Sequence, residues 1–295
     1  MGRCSYLDRV RPYVVWPWTC GLTVLLLGIA LAWRRVSDAR GLDKLVVLGP
    51  VFFAAPLAAF AAEHMTITEG VASLIPQWYP ARIALAYFVG GCLFAAAASL
   101  ILRSLDWLAA TLLGVMFVIF VATLHVPGAI KTGEHYAWIV SLRDLSFGGG
   151  AMAYAGALGV GRLRDGSSWL GTLGRLIVGT ACVVFGVLHC LQPTHTPGVP
   201  LQKMMPAWLP APALWGYVTG VLEFVAGGFL LLNRQTREVA GALGLVIVAI
   251  VLVVYVPFVG VAVEGGEKLE ALNYVWDTLL FAGTVLLVGT PSRRD

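Results

Sequence analysis

Nine apolar runs, each near the length needed to cross a bilayer, limit what this chain can fold into. They lie at residues 14–33, 45–63, 81–102, 107–126, 137–160, 174–191, 213–232, 239–257 and 271–289. Backbone N–H and C=O groups must find internal partners in lipid, so runs of this length predict helices. Because 59% of the residues are hydrophobic and only 12% are charged, a water-soluble domain could not cover its surface. We therefore expect an all-α polytopic membrane protein with about nine transmembrane helices in a lipid bilayer.

The basic residues predict how these helices are oriented. The short connections 34–44, 103–106, 161–173 and 233–238, the tail 290–295 and Arg175 together hold 12 of the 20 Lys and Arg residues. Basic segments near membrane helices remain in the cytoplasm. We expect a multi-pass protein of the cell inner (cytoplasmic) membrane with a cytoplasmic C-terminus and an N-terminus outside. Arg3, Arg9 and Arg11 argue against an N-terminus outside the cell, so the orientation of the first helix stays open.

Two stretches about 130 residues apart are nearly the same. Residues 76–80 read Pro-Gln-Trp-Tyr-Pro, and residues 206–210 read Pro-Ala-Trp-Leu-Pro. Upstream, Phe60 and His64 match Phe185 and His189 at an offset of 125 because of a five-residue insertion. We interpret the chain as one N-terminal helix followed by two tandem four-helix bundles. Four helices is an even number, so both bundles have the same orientation, which predicts a pseudo-twofold along the membrane normal.

The repeat also predicts the domain boundaries. Residues 1–43 form the N-terminal region with one helix, and residues 44–160 form the first repeat. Residues 161–172 are a cytoplasmic linker, residues 173–290 the second repeat and residues 291–295 a tail. A site between the two repeats would then be built from paired positions.

The second repeat resembles the DoxX-like family of four-helix membrane proteins. The matching residues are Phe185-Gly186-Val187-Leu188-His189, the Pro-x-Trp-x-Pro of 206–210, Tyr217, Gly220, Glu223, Gly227 and Arg237. The first repeat keeps His64, Pro76, Trp78, Pro80, Tyr87, Gly90 and Arg143-Asp144 before three glycines, but has Leu93 where the second repeat has Glu223. Members of the wider family are linked to thiosulfate:quinone and terminal quinol oxidation. The resemblance implies an inner-membrane bundle with a redox role.

All five histidines lie on the predicted outer side of the membrane. His64, His125 and His189 end predicted helices, and His135 and His195 lie in outer loops. Tyr255 is the repeat partner of His125. Three interpretations remain open: hydrogen bonding in the interfacial zone, coordination of a metal or haem, and lining of a quinone or substrate pocket.

Glu223 lies about 15 Å into its predicted helix, close to the membrane midplane. An ionisable group at this depth is costly and normally faces the interior of a bundle. It is either a neutral carboxylic acid bonded to another helix or a group that exchanges protons with a bound molecule. Its absence from the first repeat favours a function that is specific to the second.

A further polar set is assigned a structural role. Asp144 and Asp277 occupy similar depths in the last helix of each repeat, and Arg143 precedes Asp144. We expect these residues to tie neighbouring helices together, with Arg143 satisfying only one of the two carboxylates. Glu63, beside His64, is placed in the same structural group.

Four aromatic residues near the outer side complete the candidates. Trp78 and Trp208 lie in the Pro-x-Trp-x-Pro loops, which are either interfacial anchors or lids over an outward-facing pocket. Tyr87 and Tyr217 follow these loops at equivalent positions. Together with His125 and Tyr255 they are the predicted cofactor-binding residues.

The function that these observations favour is a DoxX-like subunit of a quinone-linked oxidoreductase with an outward-facing site between the repeats. Glu223, His189 and His64 are its candidate catalytic residues, a quinone is the favoured cofactor, and haem or copper is less favoured. The partner would be a membrane or extracytoplasmic redox protein. The alternatives are a non-enzymatic carrier or assembly partner and a haem-binding membrane protein. The chain has no phosphate-binding or dinucleotide-binding glycine motif, which argues against a nucleotide partner. No nucleic-acid partner is expected either.

Overall fold

The structure is a computed structural model that describes the backbone of residues 6–199, 203–262 and 265–292. Side chains are described for residues 13–199, 203–262 and 267–292. Parts of the predicted N-terminal region (residues 1–5) and tail (residues 293–295) lie outside these ranges.

The described residues are almost entirely helical. In chain order the helices are α1 (Tyr6–Asp38), α2 (Asp43–Thr66), α3 (Thr68–Leu74), α4 (Arg82–Leu102), α5 (Asp106–Phe120), α6 (Val126–Thr132), α7 (His135–Ala157), α8 (Trp169–Leu191), α9 (Pro212–Leu231), α10 (Thr236–Ile250), α11 (Val256–Val261) and α12 (Gly265–Val288). The π-helical turns Val121–His125 and Val251–Tyr255 join α5 to α6 and α10 to α11. The predicted all-α class is confirmed.

Eight helical stretches among the described residues are long and apolar enough to cross a membrane. They are α1, α2, α4, α8, α9, α12 and the two continuous stretches 106–132 and 236–261. The ninth predicted span is the 23-residue helix α7, which falls outside this set. Its charged pair Arg143-Asp144 makes it less apolar, and its C-terminal half is buried among the other helices. The protein is therefore a multi-pass membrane protein, and its orientation stays a prediction.

The two π-helical turns have the same cause. Each is followed by Val-Pro, at 126–127 and at 256–257. A proline has no N–H to donate to the carbonyl four residues earlier, and its ring crowds that carbonyl. The helix widens by one residue in the preceding turn, so the N–H of Val126 bonds to the carbonyl of Val121 and that of Val256 to Val251. This places His125 and Tyr255 at the end of a widened turn, a feature frequent at functional sites.

Backbone conformation repeats elsewhere at the same spacing. Six non-glycine residues of the described chain have positive φ, and they form three pairs 130 positions apart. The pairs are Ala81 with Ala211, Arg103 with Asn233, and Leu105 with Gln235. A positive φ is uncommon for residues other than glycine, so this coincidence supports the predicted duplication at the level of local structure.

The central helices pack across the two predicted repeats. α7 packs against α8, α12 packs against α2, and α7 and α12 contact each other. Within the repeats, α2 packs against α4 and α8 against α9. α2 and α12 are buried along most of their length, whereas α1 lies on the outside against α2. The pseudo-twofold itself stays a prediction.

One helix begins earlier than expected. The predicted linker extends to residue 172, but α8 already begins at Trp169. Ser168 sets this start because its hydroxyl accepts a hydrogen bond from the N–H of Gly171 at 3.1 Å, a standard way to satisfy a free N–H of the first helical turn. The division into domains stays a prediction.

Candidate functional site

A cavity of about 540 Å³ lies among α2, α3, α4, α5, α7 and α12. We call it the repeat-1 cavity because all its walls except α12 come from the first repeat. Most of the lining is apolar, including Leu57, Phe60, Leu93 and Phe117. The polar residues that line it are Glu63, His64, Tyr79, Thr123, His125, Arg143, Asp144, Asn273 and Asp277. Such a combination of apolar walls with a few polar groups is typical of small-molecule sites.

Four of these residues form a connected network, which we call the ion-pair network: His125, Asp144, Arg143 and Asp277. Nη1 of Arg143 donates to Oδ2 of Asp277 at 2.8 Å, and Nε donates to Oδ1 of Asp144 at 3.1 Å. The other oxygen of Asp144 lies 2.8 Å from Nε2 of His125. The expectation that Arg143 satisfies only one carboxylate is therefore wrong, because its planar guanidinium presents donors in two directions.

The ion-pair network joins three parts of the fold. His125 comes from the π-helical turn, Arg143 and Asp144 from α7, and Asp277 from α12. It crosses from the first predicted repeat to the second, as expected of residues that tie helices together. Because the same side chains line the cavity, a structural role does not exclude contact with a bound molecule.

Two buried oxygen atoms in the cavity wall have no hydrogen-bond partner among the described residues. They are Oε1 of Glu63 and Oδ1 of Asn273. An unsatisfied buried polar atom is costly and is normally paired with protein or water. Their position in the lining makes them available to a molecule in the cavity.

His64 is oriented by its own helix. Its Nδ1 lies 2.8 Å from the carbonyl oxygen of Phe60, and since a carbonyl can only accept, Nδ1 carries the proton. In the neutral ring Nε2 is then an acceptor. The residue is half-buried in the cavity wall, so this acceptor belongs to the same site as the ion-pair network.

At the equivalent place in the second repeat, His189 and Tyr255 are buried. Here the outer loop turns inward, and residues Thr196–Val199 are buried. Nε2 of His189 lies 2.9 Å from the carbonyl oxygen of Gly198, and the hydroxyl of Tyr255 donates to the carbonyl of Pro197 at 2.7 Å. The loop is five residues longer than its counterpart in the first repeat, and its segment Thr196–Val199 covers both side chains.

Gly198 makes the inward turn possible. Its φ of 96° is a conformation that residues with a side chain rarely adopt. A Cβ at this position would also lie 3.1 Å from the side chain of Thr278.

Glu223 is fully buried on α9, as predicted, but its surroundings differ from the prediction. Neither carboxylate oxygen has a hydrogen-bond partner among the described residues. Nε2 of His189 on α8 lies 3.6 Å from Oε2 and is already bonded to Gly198. The described residues therefore show a close contact to another helix but no hydrogen bond to it, and a structural role for the acid stays a prediction. A catalytic role for Glu223 stays a prediction.

Replacing Glu223 by leucine is expected to leave the protein at least as stable as the parent. No protein hydrogen bond is lost, and an unpaired buried polar group costing about 1–3 kcal/mol is removed. Leu93 already occupies the matching position of the first repeat and is buried there. Thermal unfolding in detergent would measure the change, with Glu223→Gln as the control that keeps a polar group. A clear loss of stability in the leucine variant would show that Glu223 has a binding partner.

The structure brings together some predicted site residues and separates others. His64, His125, Glu63, Arg143, Asp144 and Asp277 line the repeat-1 cavity. His189, Tyr255 and Glu223 are buried in the second repeat. The side chains of Tyr87, Tyr217, Trp78 and Trp208 are all exposed and are not among the residues that line the cavity. A single pocket shared by His64 and His189 stays a prediction.

In the first repeat, the directions of the side chains explain why Tyr87 and Trp78 do not line the cavity. On α4, Ala86, Val89 and Leu93 face the bundle interior, and Tyr87 lies on the opposite, lipid-facing side. Trp78 stacks on the ring of Tyr79 at 4.0 Å between centroids. It is Tyr79 that lines the cavity.

Two cavity residues were not anticipated from the sequence. Tyr79 lies in the Pro-x-Trp-x-Pro loop next to Trp78, and the sequence argument selected the tryptophan because it recurs in both repeats. Asn273 lies one helical turn before Asp277 on α12, and this spacing was the available signal that both face the same side.

A metal site is not apparent in the part of the chain with described side chains. There, no group of three or more His, Cys, Asp or Glu residues is arranged to hold a metal ion.

Part of the chain matches a known family model. Residues 178–277 match the family described as a domain of unknown function, DUF8561. This segment runs from α8 to Asp277 and covers about a third of the chain. No curated protein and no solved structure matches the sequence.

Proposed function

We propose that this membrane protein binds a quinone or quinol in the repeat-1 cavity, as a subunit of a DoxX-like oxidoreductase. The observation that carries the proposal is the apolar cavity whose lining includes the ion-pair network. Its volume of about 540 Å³ lies within the usual range for small-molecule sites. A quinone has a matching character, since its ring is apolar on both faces and polar at two opposite oxygens.

The cavity has partners for both redox forms of the ring. Quinone carbonyl oxygens accept hydrogen bonds, and Arg143 has guanidinium N–H groups besides the two that it gives to Asp144 and Asp277. Quinol hydroxyls donate, and they can reach acceptors at Nε2 of His64 and Oε1 of Glu63. The unpaired oxygen of Glu63 would thus find its partner in the ligand.

The His125–Asp144 pair is suited to proton exchange. An imidazole can both accept and donate a proton, and the carboxylate of Asp144, 2.8 Å from Nε2 of His125, orients the ring. Oxidation of a quinol releases two protons, and we assign their first acceptor to this pair or to His64. The electrons would pass to a partner protein.

Binding is tested with decylubiquinone added to the purified protein in nanodiscs, measured by calorimetry. His125→Ala is expected to weaken binding about tenfold or more, equivalent to about 1.4 kcal/mol, because it removes a charge-assisted hydrogen-bond partner from the network. His135→Ala is the matched control, since this histidine is exposed in the outer region and does not line the cavity.

Absence of binding to the parent protein, or equal affinity of the two variants, would overturn the proposal. Binding of fatty acids as tight as that of the quinone would favour the non-enzymatic carrier.

A further inference from the structure

A second apolar recess lies beside the repeat-1 cavity, between α4 and α5. Its volume is about 600 Å³, and we call it the α4–α5 groove. The lining is almost wholly apolar, with Cys92 and Ser99 as the mildly polar members. Phe88, Leu112 and Val115 are exposed along it, so the groove opens on the side of the bundle that faces lipid.

The groove is continuous with the cavity. Five residues line both: Leu85, Val89, Met116, Ile119 and Phe120. A molecule with its polar end at the ion-pair network can therefore extend into the groove without leaving contact with the protein. Along α4 the groove runs from Leu85 to Ser99, which is about 21 Å at 1.5 Å per residue.

Small side chains contribute to the groove. Cys92, Ala95, Ser99 and Ala109 line it in the first repeat. At the positions 130 residues later the chain has Leu222, Val225, Phe229 and Val239. At these four positions the first repeat thus has the smaller residues. Two other groove residues, Leu112 and Ile119, instead correspond to the smaller Ala242 and Ala249.

We propose that the α4–α5 groove binds the long apolar tail of the molecule whose head group occupies the repeat-1 cavity. The ligand is then a membrane-soluble quinone with an isoprenoid or alkyl tail rather than a small water-soluble ring. The inference depends on the proposed quinone function and specifies its substrate class. Burial of tail methylenes stabilises the complex by the hydrophobic effect, and the lipid-facing opening lets the ligand enter from the bilayer.

The test compares two ubiquinone analogues, one without a tail and one with a decyl tail. Their affinities are measured on the full-length protein in nanodiscs. Ala95→Trp fills the groove, since Ala95 is an exposed groove residue, whereas Ala98→Trp adds the same bulk at an exposed position of α4 that does not line it. Because the decyl tail partitions into lipid equally with both variants, a difference between Ala95→Trp and Ala98→Trp reports binding to the groove.

We expect Ala95→Trp to lower the affinity for the decyl analogue at least tenfold and to leave that for the tailless analogue unchanged. Ala98→Trp should match the parent protein. Ala109→Phe, which fills the groove from α5, serves as a second blocking variant if Ala95→Trp does not fold.

Equal decyl affinity in the blocking and control variants would overturn the groove assignment while leaving quinone binding intact. So would loss of a co-purified phospholipid from the blocking variants with unchanged quinone affinities, since the groove would then hold a structural lipid. Failure of the parent protein to bind either analogue would instead overturn the proposed function, and this inference with it.

Discussion

Replacing Arg143 by leucine is expected to destabilise the protein by about 3–5 kcal/mol, because removing one partner of a buried ion pair leaves an uncompensated charge. Two carboxylates, Asp144 and Asp277, would lose their shared cation. The loss can be measured by thermal unfolding in detergent or by the yield of monodisperse protein.

Arg237→Leu is the matched control for this experiment. Arg237 pairs with Asp43 at 2.6 Å, which is shorter than either contact of Arg143, but the two side chains are 41% and 40% exposed. Exposed pairs contribute about 0–1 kcal/mol. Adding Asp144→Asn and Asp277→Asn to Arg143→Leu should recover part of the stability. Equal stability of the two arginine variants would contradict the prediction.

Leucine at Gly227 is expected to disrupt the bundle, whereas leucine at the next residue, Gly228, should have little effect. A Cβ on Gly227 would lie 2.7 Å from the carbonyl oxygen of Gly179 and 2.7 Å from the backbone nitrogen of Val183 on α8. Because backbone atoms cannot rotate away, α8 and α9 would have to separate. Overpacking typically costs about 1–3 kcal/mol and occasionally more, and we expect the upper part of that range.

Gly228 has no atom within 4 Å of an added Cβ, so its leucine variant controls for size and hydropathy. The unfolding temperatures of the two variants in detergent would provide the comparison. If both glycines tolerated leucine equally, the close contact of α8 and α9 would be wrong. The same contact includes Gly186 and Gly220, consistent with small residues at helix interfaces in lipid.

The fold was largely accessible from the sequence because the bilayer limits the possible structures. Apolar runs of bilayer length gave the helices at nearly their final bounds, and the Val-Pro pairs gave the equivalence of His125 and Tyr255. The sequence also predicted a ninth span at α7; the helix is present, but it falls outside the eight stretches that are long and apolar enough to cross a membrane. The π-helical turns were not predicted, because the response of a helix to a proline depends on its surroundings.

The site was predictable only in part. Its composition depends on the directions in which side chains point from the helices, and on the loop segment Thr196–Val199 that covers His189 and Tyr255. His64, His125, Glu63, Arg143, Asp144 and Asp277 were all singled out from the sequence. Their assembly around one cavity, apart from Glu223 and His189, depends on how α2, α7 and α12 pack against their neighbours, which local patterns do not encode. The exposed positions of Tyr87 and Tyr217 show that matching residues in two repeats can serve lipid contact as well as binding.

The buried segment Thr196–Val199 has a consequence for stoichiometry. Two copies of a binding bundle would ordinarily hold two molecules. Here, however, the side chains of His189 and Tyr255 are already hydrogen-bonded to the carbonyl groups of Gly198 and Pro197. The proposed function then predicts one ligand per chain, because the chain's own backbone already covers these side chains in the second predicted repeat. On the same proposal the two halves of the chain are asymmetric, and only the first is expected to exchange a ligand with the membrane.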